Sequence, residues 1–481
     1  MLYNTFFLKL KKPSVLLVLA CLLFYFSFAY NLVRTDYIKL ITLYVALFVL
    51  FYKLIQFNRS NLKFLTYIAF LFRAIFILAI PNLSQDFYRF IWDGRMILEG
   101  FNPYIYTPES FLTNQQLPVA QAEALYKGMG ALNASHFTNY PPINQLCFIL
   151  AGIFAGKSIV GSAIVLRLII IAADFGTLHF GKKLLEKLKL PTHNIFWYIL
   201  NPFIIIELTG NLHFEGVMIF FLVWSLYLLH IGKWKQAAVV FAASVSVKLI
   251  PLLFLPLFFK WFRKENSMES ATTQAVSSKE TLKTNLDTKR TSVFTGITKL
   301  LSFYTIIGLV TLLLFLPFYS SAFVNNYAQT VALWFQNFEF NASIYYIARE
   351  IGYWLTGYNE IAIIGKILPI IVFLFVLYMA LFKKNSSTPQ LIQSMLFTFA
   401  FYLFMSTTIH PWYVSTLLIL SVFTNYKFPL VWSFAIILSY LAYIQIGKAD
   451  KSENLYIIAL EYIIIFSVFL YELKKRKPVE N

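Results

Sequence analysis

Apolar runs of about 20 residues recur along the whole chain, each bounded by short polar or basic segments. A helix of that length matches the hydrocarbon thickness of a bilayer, so the repeated pattern predicts an all-α fold, a polytopic transmembrane helical bundle of about 12–14 spans. Composition agrees, because 59% hydrophobic and 13% charged residues exclude an ordinary soluble domain. The net charge of +18 does not point to nucleic acid: the basic residues cluster at the ends of the apolar runs, where they set orientation in the membrane. Cys21 and Cys147 both fall in apolar runs and read as packing residues, not a disulfide.

Lys9, Lys11 and Lys12 precede the first run (about 13–33), which lacks a small-residue cleavage site and reads as a retained helix with its N-terminal side in the cytoplasm. Runs at about 37–56 and 62–81 follow, and the third delivers a polar segment to the extracytoplasmic face. Five apolar stretches come next, at about 143–156, 158–180, 193–209, 212–231 and 235–258. Their odd number places residues 259–295, rich in Lys, Arg, Ser and Thr, in a flexible cytosolic loop. The same count puts His213 and Glu215 on the cytoplasmic side and Lys182, Lys183, Lys187 and Lys189 outside. Runs near 296–319, 361–382, 391–409, 411–426, 428–446 and 453–472 then alternate, with an aromatic outer segment at 320–360 and His410 outside. The expected organisation is an N-terminal hairpin (1–61), a module with a long outer loop at 82–142 (62–360), and C-terminal helices (361–481).

The polar segment from Ser84 to Pro108 holds the densest grouping of acids and bases. Asp86, Arg89 and Asp93 stand at i, i+3 and i+7, on one face of a helix that Ser84 would cap and Gly100 would stop. Asn102-Pro103 then turns the chain. Carboxylates and guanidiniums beside a membrane, among Phe87, Tyr88, Phe90 and Trp92, suggest a site at the lipid–water boundary.

The order Asp86, Tyr88, Arg89, then Trp92-Asp93-Gly94-Arg95, then Gly100, Asn102, Pro103, Tyr104 resembles the first outer loop of GT-C glycosyltransferases, in particular bacterial polyprenyl-phosphate-mannose-dependent mannosyltransferases. Phe90 stands where that pattern has a second Tyr. Weaker matches are Tyr140-Pro141-Pro142, Asn201-Pro202 with Glu207, Gly210-Asn211 and His213, Lys248–Pro251, Phe338–Ile344 and His410-Pro411-Trp412-Tyr413. The resemblance implies a GT-C fold with juxtamembrane helices in its first outer loop, in a bacterial inner membrane with the site facing outward. It further implies inverting transfer of a hexose, mannose above all, from a polyprenyl-phosphate donor to a glycolipid or polysaccharide acceptor.

On that reading Asp86 is the catalytic base that takes the acceptor's proton, and Arg89 and Arg95 are the nearest cations for the departing phosphate. Both arginines equally fit interfacial anchoring, and Asp93 reads first as their ion-pair partner. Tyr88, Asn341, His410 and Lys248 complete the candidate substrate-binding set, Lys248 with a snorkelling role as the simpler alternative. No His, Cys or acidic cluster has metal-ligand spacing; no cofactor is required, although a divalent cation bridging phosphate and Asp86 or Asp93 fits the resemblance. A transporter or flippase of a lipid-linked sugar is the competing class, carried by Arg167 and Asp174 at i and i+7 within one span.

Overall fold

The computed structural model describes residues 12–263, 282–336, 338–442, 444 and 453–475, with the backbone alone at 282–293 and 333–336. Lys9, Lys11, much of the expected cytosolic loop at 259–295 and the basic residues after Lys475 lie outside the described residues. The helices run in chain order as α1 (Lys12–Asn31), α2 (Tyr37–Asn58), α3 (Leu62–Ile75), α4 (Asp86–Leu98), α5 (Ala122–Ala134), α6 (Pro142–Ala155) and α7 (Ile159–Lys187). A sharply bent pair follows, α8 (Pro202–Gly210) and α9 (Glu215–His230), then α10 (Trp234–Val247). Next come α11 (Leu282–Phe315), α12 (Ser321–Gln336), α13 (Ile344–Thr356), α14 (Ile361–Leu381) and α15 (Thr388–Met405). The chain closes with α16 (Pro411–Val422), α17 (Phe428–Leu441) and α18 (Leu455–Lys475). Among the described residues there is no β-strand, only an isolated bridge between Phe340 and Thr408.

Among the described residues six helices are long and apolar enough to cross a membrane: α1, α2, α7, Phe294–Phe318 around the end of α11, α14 and α18. The α8–α9 pair, bent by 115°, makes a seventh if it counts as one span. Shorter apolar helices, among them α6, α10, α16 and α17, account for other apolar runs of the sequence. The chain is an integral, multi-pass, all-helical membrane protein.

Buried polar contacts fix the direction of each middle helix, and they correct the expected topology. Arg73 near the end of α3 pairs with Asp174 at 2.7 Å, and Arg167 donates to the Ile77 carbonyl at 2.8 Å. Later positions on α3 and its exit thus meet earlier positions on α7, so the two run antiparallel and α7 starts on the side that carries Asp86. Lys182, Lys183, Lys187 and Lys189 therefore end on the opposite side, not with Asp86 as the run count had it. α6 leaves the outer loop and is followed directly by α7, which starts on the side that carries Asp86, so both ends of α6 lie on that side. It is no crossing but a platform lying along α4, with Phe90 stacked on Phe148 at 4.7 Å and Leu98 against Gly152.

The missing crossing comes from the run at 235–258, which is two segments and not one. Ser225 bonds to the Ala237 carbonyl and Ser244 to the Met218 carbonyl, both at 2.8 Å, so α10 climbs antiparallel to α9. The chain reverses at Lys248, which is extended (φ −146°, ψ 141°), and the Pro251-containing turn Ile250–Leu257 leads away. The α8–α9 bend lies on the Asp86 side too. Arg167 donates to the Thr209 and Gly210 carbonyls at 2.8 and 3.1 Å, and the Leu83 amide donates to Asn211 at 3.2 Å. His213 and Glu215, expected on the far side from Asp86, pack beneath it.

Candidate active site

α4 begins at Asp86 with Gln85, not the expected Ser84, at the N-cap; Ser84 stands one residue further out and accepts from the Asp86 amide at 3.3 Å, and the helix dipole favours a carboxylate in that first turn. The turn after α4 follows the expected chemistry: Gly100 has φ +83° and the Asn102 side chain accepts from the Tyr104 amide at 3.0 Å. One flank of α4 packs on α6 so closely that a Cβ at Gly94 would collide with the Phe148 carbonyl. That contact explains the glycine within Trp92-Asp93-Gly94-Arg95.

Asp93 is fully buried and takes Arg89 Nε at 2.7 Å, with Gln145 Nε2 at 3.4 Å on its other oxygen. Arg89 Nη1 reaches on to the Asn133 and His136 carbonyls at 2.6 and 2.8 Å. The pair thus straps residues 133–136 over the end of α4, and Asn133 in turn donates to Asp86 at 3.4 Å. Arg89 Nη2 is buried without a hydrogen-bond partner among the described residues.

Beneath this strap lies a cavity of about 450 Å³ that brings together Asp86, Arg89, Lys248 and His410. Four of the residues chosen from sequence, far apart along the chain, line one space. The segment Leu132–Pro141 roofs it, the Lys248–Leu253 turn floors it, and Tyr402, Trp412 and Tyr413 form a wall. Lys248 Nζ sits 2.9 Å from Glu215 and 5.5 Å from the centre of the Tyr140 ring. His410 stacks on Trp412 at 4.6 Å, and His213 covers the far face of the wall by stacking on Trp412 at 3.5 Å. Burial raises the Asp86 carboxyl above its ordinary value, and the nearby Lys248 ammonium draws it part of the way back. A carboxylate so placed can accept a proton from an alcohol, and the ammonium beside it can receive an anion.

The other candidates lie elsewhere. Arg95 turns away from the cavity and donates to the Ala120 carbonyl and to Gln121, holding the far end of the outer loop. Tyr88 lies tilted against Phe87, ring centres 4.0 Å apart, and against Gly128 of α5, outside the cavity lining. Asn341 is fully buried between Glu453, which accepts from its amide at 3.0 Å, and Glu461, which accepts from its side chain at 3.3 Å. It anchors the segment whose Phe338 reaches the cavity wall. Among the described residues no group of three or more His, Cys, Asp or Glu is arranged to hold a metal ion.

Sequence reasoning set Glu215 apart from the site and missed Asn133 and Tyr402. Glu215 carried a signal, an acid within an apolar stretch beside Gly210-Asn211, but the span count had sent it to the wrong side. Asn133 and Tyr402 had none, because a lone polar residue in a loop and a tyrosine in an apolar run are ordinary.

A second space, about 390 Å³ and apolar, lies against the cavity and shares Leu253, Tyr402 and Tyr413 with it. Its remaining lining comes mainly from Leu252 and Pro256, from Leu368, Pro369, Val372 and Val376 of the α14 span, and from the end of α15.

Residues 24–263 match the family described as alpha-(1->6)-mannopyranosyltransferase, N-terminal domain. Asp86, Arg89, Glu215 and Lys248 fall within the matched residues, and His410 and Trp412 beyond them. The chain is also similar to alpha-(1->6)-mannopyranosyltransferase A of Mycobacterium tuberculosis (strain ATCC 25618 / H37Rv), 22% identical over 189 residues. That match covers 39% of this chain and 35% of the relative, so the chain spans about a third of the protein it resembles.

Proposed function

We propose that this protein, whose residues 24–263 match the family described as alpha-(1->6)-mannopyranosyltransferase, N-terminal domain, is an inverting membrane glycosyltransferase of GT-C architecture. It moves a hexose, mannose by family likeness, from a polyprenyl-phosphate donor to a glycolipid or polysaccharide acceptor. The observation that carries the reading is the adjoining of two unlike spaces: a polar cavity holding Asp86 and Lys248, and an apolar groove reaching in among the membrane helices. A lipid-linked sugar has the same division, with a charged phosphate and sugar at one end and a hydrocarbon chain at the other.

In this scheme the polyprenyl chain lies in the groove against α14 and its phosphate enters the cavity past Tyr402 and Tyr413. The acceptor hydroxyl approaches the anomeric carbon from the face opposite the phosphate. Asp86 takes the hydroxyl proton as the new C–O bond forms and the bond from C1 to the phosphate oxygen breaks. The bonding pair leaves with the phosphate, and Lys248 together with the unpartnered Nη2 of Arg89 offsets the growing charge. A single displacement of this kind inverts the anomeric configuration. The scheme needs no cofactor. A divalent cation bridging phosphate and Asp86 is compatible with it, and turnover in the presence of a chelator tests that point.

Two observations support an extracytoplasmic site. Lys182, Lys183, Lys187, Lys383, Lys384, Lys427, Lys474 and Lys475 gather at the helix ends opposite Asp86, the arrangement the positive-inside rule asks for in a bacterial inner-membrane protein. His410 shares the Asp86 cavity, in keeping with the alternation of the C-terminal runs. The transporter reading loses its main support, because Arg167 and Asp174 are consumed by structural bonds to the Ile77, Thr209 and Gly210 carbonyls and to Arg73. The test is incubation of purified protein in proteoliposomes with a panel of polyprenyl-phosphate sugars and glycolipid acceptors, followed by mass analysis. A hexose-extended product is expected, and movement of intact donor across the bilayer without product would contradict the reading.

A further inference from the structure

Two buried ion pairs of this protein differ in a telling way. Arg73 and Asp174 are both fully buried, and the guanidinium also bonds to the Ala69 and Ile199 carbonyls; that pair joins helices and lines neither the cavity nor the apolar groove. Lys248 and Glu215 are asymmetric. The Glu215 carboxylate is wholly buried in the first turn of α9, while the Lys248 side chain keeps 20% of its surface and lines the cavity. Neither Glu215 oxygen has a hydrogen-bond partner among the described residues, so this carboxylate answers chiefly to the ammonium 2.9 Å away, as an ion pair. Lys248 stands at the reversal between α10 and the Ile250–Leu257 turn, where no helix fixes its direction. A flexible four-carbon side chain at such a place gains its aim from the anion behind it.

We propose that Glu215 is a positioning residue, whose buried carboxylate holds the Lys248 ammonium at the cavity wall so that it meets the phosphate of the lipid-linked donor. The inference rests on the transferase reading for the identity of the anion, and on geometry alone for the coupling of the two side chains. Glu215 touches neither substrate nor base; it acts through Lys248.

The experiment compares Glu215→Gln, Glu215→Asp, Lys248→Met and the Glu215→Gln/Lys248→Met double variant, with Asp174→Asn as a purely structural comparator. Donor KM, kcat and melting temperature are read in proteoliposomes or detergent. Lys248→Met is expected to raise donor KM roughly tenfold or more, the loss of a charge-assisted bond. Glu215→Gln should do the same with a smaller change in kcat, Glu215→Asp should restore part of the loss, and the double variant should be no worse than Lys248→Met. Asp174→Asn should lower the melting temperature without moving donor KM. Unchanged donor KM in Glu215→Gln, or effects that multiply in the double variant, would overturn the proposal. If Glu215→Gln does not fold, the double variant still decides, because independent roles predict a further loss beyond Lys248→Met. A wild-type protein that turns over no polyprenyl-phosphate sugar would sink the transferase reading instead. Binding of a short-chain polyprenyl phosphate, measured by tryptophan fluorescence, then decides on Glu215: weakened binding in Glu215→Gln sustains its role and unchanged binding refutes it.

Discussion

Arg89 Nε lies 2.7 Å from Asp93 Oδ1, one turn apart on a single helix, and the same guanidinium ties down the carbonyls of Asn133 and His136. The roof of the cavity thus hangs on an ion pair inside α4. Asp93→Asn leaves the buried guanidinium without its counter-ion, and removing one partner of such a pair costs roughly 3–5 kcal/mol. The variant should show a clearly lower melting temperature. Its kcat/KM should fall as well, because Asn133 loses its hold on Asp86. A melting temperature equal to wild type would mean that the pair carries no structure.

Arg95 gives the opposite expectation. Its bonds run to Ala120 and Gln121, away from the cavity, so Arg95→Ala should loosen residues 114–121 to limited proteolysis while donor KM stays within a few-fold of wild type. A large rise in donor KM with an intact loop would return Arg95 to the phosphate site.

The acid limb of the pH–rate profile should report Asp86. Burial raises its carboxyl above the ordinary 3.8; Lys248, Asn133 and Arg34 pull it down and Glu215 pushes it up. A base must be ionised to work, so turnover should rise with pH through a value higher than that of a free aspartate. Lys248→Met removes the largest charge that favours ionisation and should move the limb to higher pH. A limb that stays in place would mean that Asp86 does not set it.

Much of this was legible from the residues. The i, i+3, i+7 spacing of Asp86, Arg89 and Asp93, the stop at Gly100 and the Asn102 turn are local, so periodicity and turn chemistry suffice to read them. His410 shares a cavity with Asp86, the same-side relation that the basic clusters punctuating the C-terminal runs predict. The middle of the chain was not legible. An apolar run reads the same whether it crosses a bilayer, as α7 does, or lies on a neighbour, as α6 does. The reversal at Lys248 hides within one continuous apolar stretch, marked only by the lysine and Pro251. Each error flips every later helix until a second one restores the order, which is why Glu215 and the lysines at 182–189 were assigned to the wrong sides together. The roles of Tyr88 and Arg95 could not be read either, since residues one or two positions apart on a helix point to different neighbours.

The account turns on Asp86 as the proton acceptor, and one variant tests it most directly. Asp86→Asn keeps the size of the side chain and its place beside Asn133 and Lys248, but it cannot take a proton. In proteoliposomes supplied with a polyprenyl-phosphate hexose and a glycolipid acceptor, it should retain its melting temperature and donor binding. Its rate of sugar transfer should fall roughly a hundred- to ten-thousand-fold, the usual contribution of a general base. Transfer within a few-fold of wild type would contradict the account.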